Sequence, residues 1–205
     1  MRDRWSTGRL EAFSDGIFTI AATLLVLEIN VPESGFDDLW KSIADQWPSY
    51  LAYMTSFLTI GGIWLAHHAI IRALASADRW VMRLNLLLLM FVAFLPFPTK
   101  LMAEAIDQTT AERAAVIFYG LTLLATSVAG SGLLRYIAAN PELLKPDITN
   151  AQVKTIADRA TPNMGFYVAG VLLAILAPSV AAFGYLLIAV VAIVRQRGDR
   201  SLAPA

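Results

Sequence analysis

Ionisable side chains are rare inside the apolar segments of this 205-residue chain, and they are the first candidates for chemistry. The ionisable residues inside these segments are Glu11, Asp15 and Glu28 in the first and His67 and His68 in the second, and Asn85 is the notable polar residue of the third. Ionisable groups are costly in lipid, so by default they mark functional positions. An aspartate with histidine or arginine partners can stay ionised or share a proton, and histidine titrates near neutral pH. The residue types therefore predict either a polar clamp between helices or a proton relay.

Other chemistry has little support in the sequence. A metal site is an alternative because His and Asp are ligands, yet adjacent residues such as His67 and His68 point about 100° apart on a helix. They would rarely bind one ion together, so neither a metal nor a cofactor is expected. The chain has no cysteine, which excludes disulfides and thiolate chemistry. It also lacks a P-loop, a dinucleotide-binding motif and HExxH, and Ser14 beside Asp15 has no recognisable oxyanion arrangement, so we do not expect an enzyme.

The elements that must position these residues are membrane helices. Hydrophobic residues make up 57% of the chain and charged residues 16%, against about 45–50% and about 25% in soluble domains. A membrane helix needs about 20 apolar residues to cross about 30 Å of hydrocarbon. We predict an all-α polytopic membrane protein whose single domain, residues 1–205, has six transmembrane helices, at residues 10–30, 48–72, 82–100, 113–138, 162–177 and 179–195. The last two share a stretch without charges, which Pro178 divides because proline breaks or kinks a helix.

Two glycine-containing segments are expected to allow close helix packing, namely Gly61-Gly62 and Gly130-Ser131-Gly132.

The distribution of basic residues predicts the orientation of these spans. Six spans place both termini on the side that holds most of the 16 Lys and Arg residues, while Lys41, Lys100 and Arg113 lie on the other. By the positive-inside rule the basic side is cytoplasmic. Asp15, His67, His68 and Asn85 then all fall in the inner half of their helices and can meet in one layer, with Arg9 just below. The net charge is zero, and nothing indicates a nucleic-acid partner.

The first helix also has an apolar stripe on a different face from Asp15. At 100° per residue, a stripe within about 60° of Ile20 contains Phe13, Gly16, Ile17, Ile20, Thr23, Leu24 and Leu27. Asp15 lies about 140° from this stripe, toward the second and third helices. The stripe is interpreted either as a surface for lipid or helix packing or as a pore lining, because apolar rings gate by dewetting and hydroxyl rings can coordinate partly hydrated ions.

Several motifs resemble those of one known family. The first helix begins with Arg9-Leu-Glu-Ala-Phe13-Ser14-Asp15, which resembles the RxxxFSD signature of the transmembrane protein 175 family, the endosomal and lysosomal potassium channels and their bacterial relatives. The second helix has Trp64-Leu-Ala-His67-His68, and the third has Arg83-Leu-Asn85 followed by FLPFPT at residues 94–99, which are similar to further segments of that family. The specific resemblance covers the first half of the chain.

The resemblance implies a potassium-permeable cation channel without the TVGYG filter of ordinary potassium channels. Animal members have two six-helix repeats, whereas bacterial members, like this chain, have one and assemble as homotetramers in the bacterial inner membrane. The first helix of each subunit lines the pore, with Ile20 as the hydrophobic constriction, Thr23 as a hydroxyl layer, and Leu24 and Leu27 as further apolar rings. The resemblance also implies a network that anchors the pore helix, formed by Arg9, Phe13, Ser14, Asp15, Trp64, His67, His68 and Asn85. The implied partners are the bilayer and monovalent cations. The rival interpretation is a proton-coupled transporter or a proton-conducting channel that uses Asp15 and His67.

Overall fold

The computed structural model describes residues 5–30, 33–106, 108, 110–149, 153 and 162–197, and this part of the chain is helical. The α-helices are α1 (Thr7–Leu24), α2 (Leu39–Asp45), α3 (Trp47–Ala73), α4 (Arg79–Phe94), α5 (Pro96–Ala105), α6 (Ala111–Ala139), α7 (Pro162–Leu176) and α8 (Pro178–Arg197). Short 3₁₀ segments lie at Leu25–Glu28, Glu33–Asp38 and Pro141–Leu143. The predicted all-α class is confirmed.

Among the residues that the structure describes, four helical stretches are long and apolar enough to cross a membrane, namely Thr7–Glu28, Trp47–Ala73, Arg79–Ala105 and Ala111–Ala139. Two shorter apolar helices follow, Met164–Leu176 and Pro178–Val194. The predicted break between them is confirmed, because α7 ends at Leu176 and Pro178 begins α8. The 15 residues of α7 are about 22 Å long at 1.5 Å per residue, which is less than a bilayer core of about 30 Å.

The third predicted span, residues 82–100, lies within the single apolar stretch Arg79–Ala105. The helix is interrupted at Leu95, between α4 and α5, because Pro96 and Pro98 have no N–H to continue the helical ladder, although Leu95 keeps helical φ and ψ of −53° and −36°. The Leu95 N–H donates to the Val92 carbonyl at 3.2 Å, and the Leu95 carbonyl accepts from the N–H and the hydroxyl of Thr99 at 3.2 Å and 2.7 Å. The Val92 carbonyl, whose usual donor is missing at Pro96, is therefore still paired, as a membrane interior requires.

The closest helix packing occurs at other glycines than the sequence predicted. Within this chain, a Cβ on Gly61 or Gly132 would meet open space, and a Cβ on Gly62 or Gly130 would make only ordinary van der Waals contact. The predicted close packing within the chain is therefore wrong at these positions. A Cβ on Gly120 of α6 or Gly170 of α7 would instead overlap the ring of Tyr185, which is fully buried on α8. These two glycines let α6 and α7 approach α8, whereas the pattern of paired glycines does not reveal which helix face is turned inward.

Helix α1 packs on its neighbours with one face only. It contacts α3 and α4, and its buried residues are Leu10, Ser14, Phe18 and Ala21, followed by Leu25 in the 3₁₀ segment. In the most apolar 18 residues of this first span, 22% of the residues are buried within the chain. In the corresponding stretches of the other three long spans, 44% to 50% are buried. The subunit therefore holds α1 along a narrow strip and leaves most of its surface uncovered.

Candidate functional site

A buried chain of hydrogen bonds joins α1 to α3 through α4. The Asn85 amide nitrogen donates to Ser14 Oγ at 3.0 Å, and the Ser14 hydroxyl donates to the Leu10 carbonyl at 2.8 Å. Asn85 Oδ1 lies 2.6 Å from His67 Nε2, and because an amide oxygen only accepts, the histidine nitrogen donates. All three side chains are buried, and Phe18 packs on the His67 ring at 5.3 Å between centroids. We call Ser14, Asn85 and His67 the buried triad.

A second set of contacts lies beside the triad and is half-buried. The Trp64 indole N–H donates to Asp15 Oδ1 at 2.8 Å. One carboxylate oxygen of Glu11 lies 3.4 Å from His68 Nδ1, and the rings of Trp64 and His68 pack at 5.5 Å. We call Glu11, Asp15 and His68 the acid–histidine group, and Trp64 is its hydrogen-bond donor.

Asp15, His67, His68 and Asn85 were expected to meet in one layer. Their hydrogen bonds and ion-pair contacts instead form two sets, with His67 and Asn85 in one and Asp15 and His68 in the other. Ser14 and Asp15 are consecutive, so they point about 100° apart and face different neighbours, and the same holds for His67 and His68. Glu11 has no partner predicted from the sequence, although its position one turn before Asp15 places both carboxylates on one face of α1. The i, i+4 spacing of Glu11 and Asp15 is the sequence feature that could have predicted the acid–histidine group.

Arg9 and Phe13 lie outside both sets of contacts. Both are exposed on α1, with 53% of Phe13 accessible. Within one subunit the structure thus brings together six of the eight residues of the predicted anchoring network, namely Ser14, Asp15, Trp64, His67, His68 and Asn85.

The stripe around Ile20 faces away from the rest of the subunit. Ile20 is 60% exposed and Leu27 71% exposed, Thr23 and Leu24 are also exposed, and Ile17 is half-buried at the edge of the stripe. Leu27 lies in the 3₁₀ segment, where side chains three residues apart nearly eclipse, so Leu24 and Leu27 stay on one line along the helix. Although α1 ends at Leu24, Leu27 therefore stays on the same face of the first span as Ile20 and Leu24.

Thr23 has its hydroxyl hydrogen directed at the helix backbone. Its Oγ1 lies 2.9 Å from the Thr19 carbonyl and 3.0 Å from the Ile20 carbonyl. A hydroxyl has one donor and two acceptor lone pairs, so these bonds leave the oxygen lone pairs free on the exposed side. That arrangement suits the coordination of a cation.

An ion pair between Glu28 and Lys100 joins the end of the first span to α5. Glu28 Oε2 lies 3.2 Å from Lys100 Nζ. The sequence identified Glu28 as an ionisable residue at the end of a span but assigned it no partner. Lys100 lies on α5, after the break at Leu95 that the sequence did not predict.

A buried cluster of three hydroxyl groups was not predicted from the sequence. Ser56 Oγ lies 2.7 Å from Thr99 Oγ1 and 2.9 Å from Tyr119 Oη, so the cluster joins α3, α5 and α6. Hydroxyl residues occur on many membrane helices, and no spacing distinguishes these three. The cluster holds α5 against the core of the subunit and so supports the contact of Lys100 with Glu28.

Comparisons with known proteins agree on one family. Residues 9–96 match the family described as endosomal/lysosomal potassium channel TMEM175, and this range contains the stripe, the buried triad and the acid–histidine group. A potassium channel of Streptomyces collinus is 43% identical over 143 residues, which cover 69% of each chain. The endosomal/lysosomal proton channel TMEM175 of Gallus gallus is 38% identical over 120 residues, covering 54% of this chain and 24% of that protein. The crystal structure of a lysosomal potassium-selective channel TMEM175 homolog from Chamaesiphon minutus superposes with a TM-score of 0.83 at 35% identity, covering 93% of this chain and 97% of that one.

Proposed function

The chain belongs to the TMEM175 family of endosomal/lysosomal potassium channels, and from this premise we propose that it is a potassium-permeable cation channel that conducts passively across a membrane. The observation that carries the mechanism is the two-sided character of α1. One face is fixed to α3 and α4 by the buried triad, and the opposite face presents Ile20, Thr23, Leu24 and Leu27 outside the subunit. The family is a class of ion channels and not of enzymes.

The proposed channel is a homotetramer with six spans per subunit and the four α1 helices around a central axis. The low burial of α1 within its own subunit supports this arrangement, because an exposed apolar helix gains contacts only from lipid or from other subunits. Arg9 and Phe13 are exposed at the start of α1, where neighbouring subunits would meet. Counting α7 and α8 as two spans keeps both termini on the basic, cytoplasmic side of a bacterial inner membrane.

In this channel the stripe around Ile20 controls ion permeation. Conduction is passive and needs no cofactor. Four Ile20 side chains would form a narrow apolar ring that resists wetting, and Leu24 and Leu27 would add further rings. Thr23 would replace part of the water around a passing monovalent cation with its free lone pairs. The buried triad and the Trp64–Asp15 bond would hold α1 at the rotation that keeps the stripe on the axis.

Potassium flux into liposomes tests this proposal. Wild-type protein should increase potassium uptake above that of empty vesicles, and Ile20→Asn should raise it several-fold further, because a polar ring removes the dewetting barrier. The matched control is Leu172→Asn, which changes a residue of similar exposure, 58%, on α7. It should leave the flux at the wild-type level. A flux unchanged in Ile20→Asn, or raised equally by the control, would show that Ile20 is not the constriction, and parallel assays with sodium would measure selectivity.

A further inference from the structure

The acid–histidine group takes no direct part in the proposed ion permeation, because it lies on the side of α1 opposite to the stripe, and of its members only Asp15 has a positioning role, through Trp64. We propose that Glu11, Asp15 and His68 bind a transition-metal dication of the zinc type, which would link α1 to α3. The proposal is independent of the proposed channel, because it concerns a contact within one subunit.

The spacing of the three side chains suits such an ion. One ligand atom from each residue lies within 4.8 Å of the other two. Neighbouring ligand atoms in a tetrahedral zinc site are about 3.4 Å apart, given metal–ligand bonds of about 2.0–2.2 Å. The Glu11–His68 pair is already at 3.4 Å. The remaining pairs need to close by about 1.4 Å at most, which side-chain rotation on two helices can supply.

The state of the donor atoms is the second observation. His68 Nδ1 is inaccessible to solvent and forms no hydrogen bond within the part of the chain that the structure describes, even though Glu11 is nearby. A buried polar atom without a hydrogen bond is unfavourable, and coordination to a metal would remove this cost. Trp64 donates to one oxygen of Asp15 and leaves the other for the ion, and hydrogen-bonded carboxylates of this kind are common in metal sites.

The donor set indicates the class of ion. An imidazole nitrogen favours zinc, nickel or copper over magnesium and calcium. Two carboxylates and a neutral imidazole balance the charge of a dication, and the side chains of His68 and Glu11 are 33% and 32% exposed, so a water can complete a four-ligand shell. The sequence argument against a metal site remains valid for a shared His67–His68 ion, since His67 is bonded to Asn85. It does not apply to a site in which a single histidine joins two carboxylates of α1.

Equilibrium dialysis of the untagged, full-length protein in detergent with Zn²⁺ tests the site. The expected result is one Zn²⁺ per subunit, with binding at least about tenfold weaker in both Glu11→Gln and His68→Gln. Glu28→Gln is the matched control, because it removes a carboxylate from the same span that is paired with Lys100, and it should bind as the wild type does. Zn²⁺ should also raise the melting temperature of the wild type and of the control but not that of the other two variants, and Mg²⁺ should have no effect.

The outcomes separate the site from adventitious binding. Zinc binding that is unchanged in Glu11→Gln and in His68→Gln, or that falls equally in Glu28→Gln, would overturn the proposal. If one variant fails to give folded protein by circular dichroism, the other decides. Co²⁺ absorption of the wild type reports whether the bound ion has the expected four-ligand shell, and a weak, octahedral spectrum would contradict that shell. None of these measurements uses conduction, so their failure would leave the channel proposal untouched, as the Ile20→Asn result leaves the metal site untouched.

Discussion

Replacing Asn85 by leucine should destabilise the protein by about 1–3 kcal/mol. The substitution removes two hydrogen bonds between helices, to Ser14 and to His67, and such bonds in membrane proteins contribute about 0.6 kcal/mol on average and about 1.7 kcal/mol at most. Leucine has the same number of side-chain heavy atoms, branched at the same carbon, so the loss does not come from a cavity. Ser14 keeps its bond to the Leu10 carbonyl, and the unpaired group is therefore the buried His67 nitrogen. The free energy of unfolding in detergent, followed by circular dichroism, measures the effect.

A double-mutant cycle isolates the bond between α1 and α4. Ser14→Ala and Asn85→Leu should couple by about 0.6 kcal/mol or more, since each change removes the same contact. Thr19→Val is the control for Ser14→Ala, because the Thr19 hydroxyl makes the same kind of backbone bond, 2.8 Å to the Asp15 carbonyl, but is exposed. Its coupling to Asn85→Leu should be within about 0.3 kcal/mol of zero. Equal couplings for Ser14 and Thr19 would refute the role of the buried triad in holding α1.

Two further substitutions test the packing and the assembly. Gly120→Ala should cost about 1–3 kcal/mol in thermal unfolding, because the new methyl group overlaps the Tyr185 ring, whereas Gly132→Ala, which meets open space, should change stability by less than about 1 kcal/mol. Equal effects would contradict the packing at Tyr185. Asp15→Ala should mainly reduce the tetramer fraction in size-exclusion chromatography, because Trp64 loses its acceptor and α1 loses a tie to α3. A normal tetramer with lost conduction would argue against that anchoring role.

Much of the fold was predictable from local patterns in the sequence. The apolar runs predicted the helices at 48–72 and 113–138 to within two residues of α3 and α6, and Pro178 predicted the break between α7 and α8. The break at Leu95 was missed although Pro96 and Pro98 were visible, because the apolar run continues across them and a membrane helix tolerates proline when a freed carbonyl finds another donor. Here the Leu95 N–H pairs with the Val92 carbonyl, which Pro96 leaves without its usual donor, and hydropathy does not report this bond.

For the candidate site, the sequence alone determined that α1 has two different faces, with Ser14 and Asp15 on one side and Ile20 and Thr23 on the other. Helical periodicity is a property of consecutive residues, so it does not depend on the rest of the fold. Only the tertiary structure decided the pairings, which place Asn85 between Ser14 and His67. Those contacts join residues 18 and 71 positions apart, and they depend on the depth and rotation of α3 and α4 against α1, which the packing of the whole subunit sets.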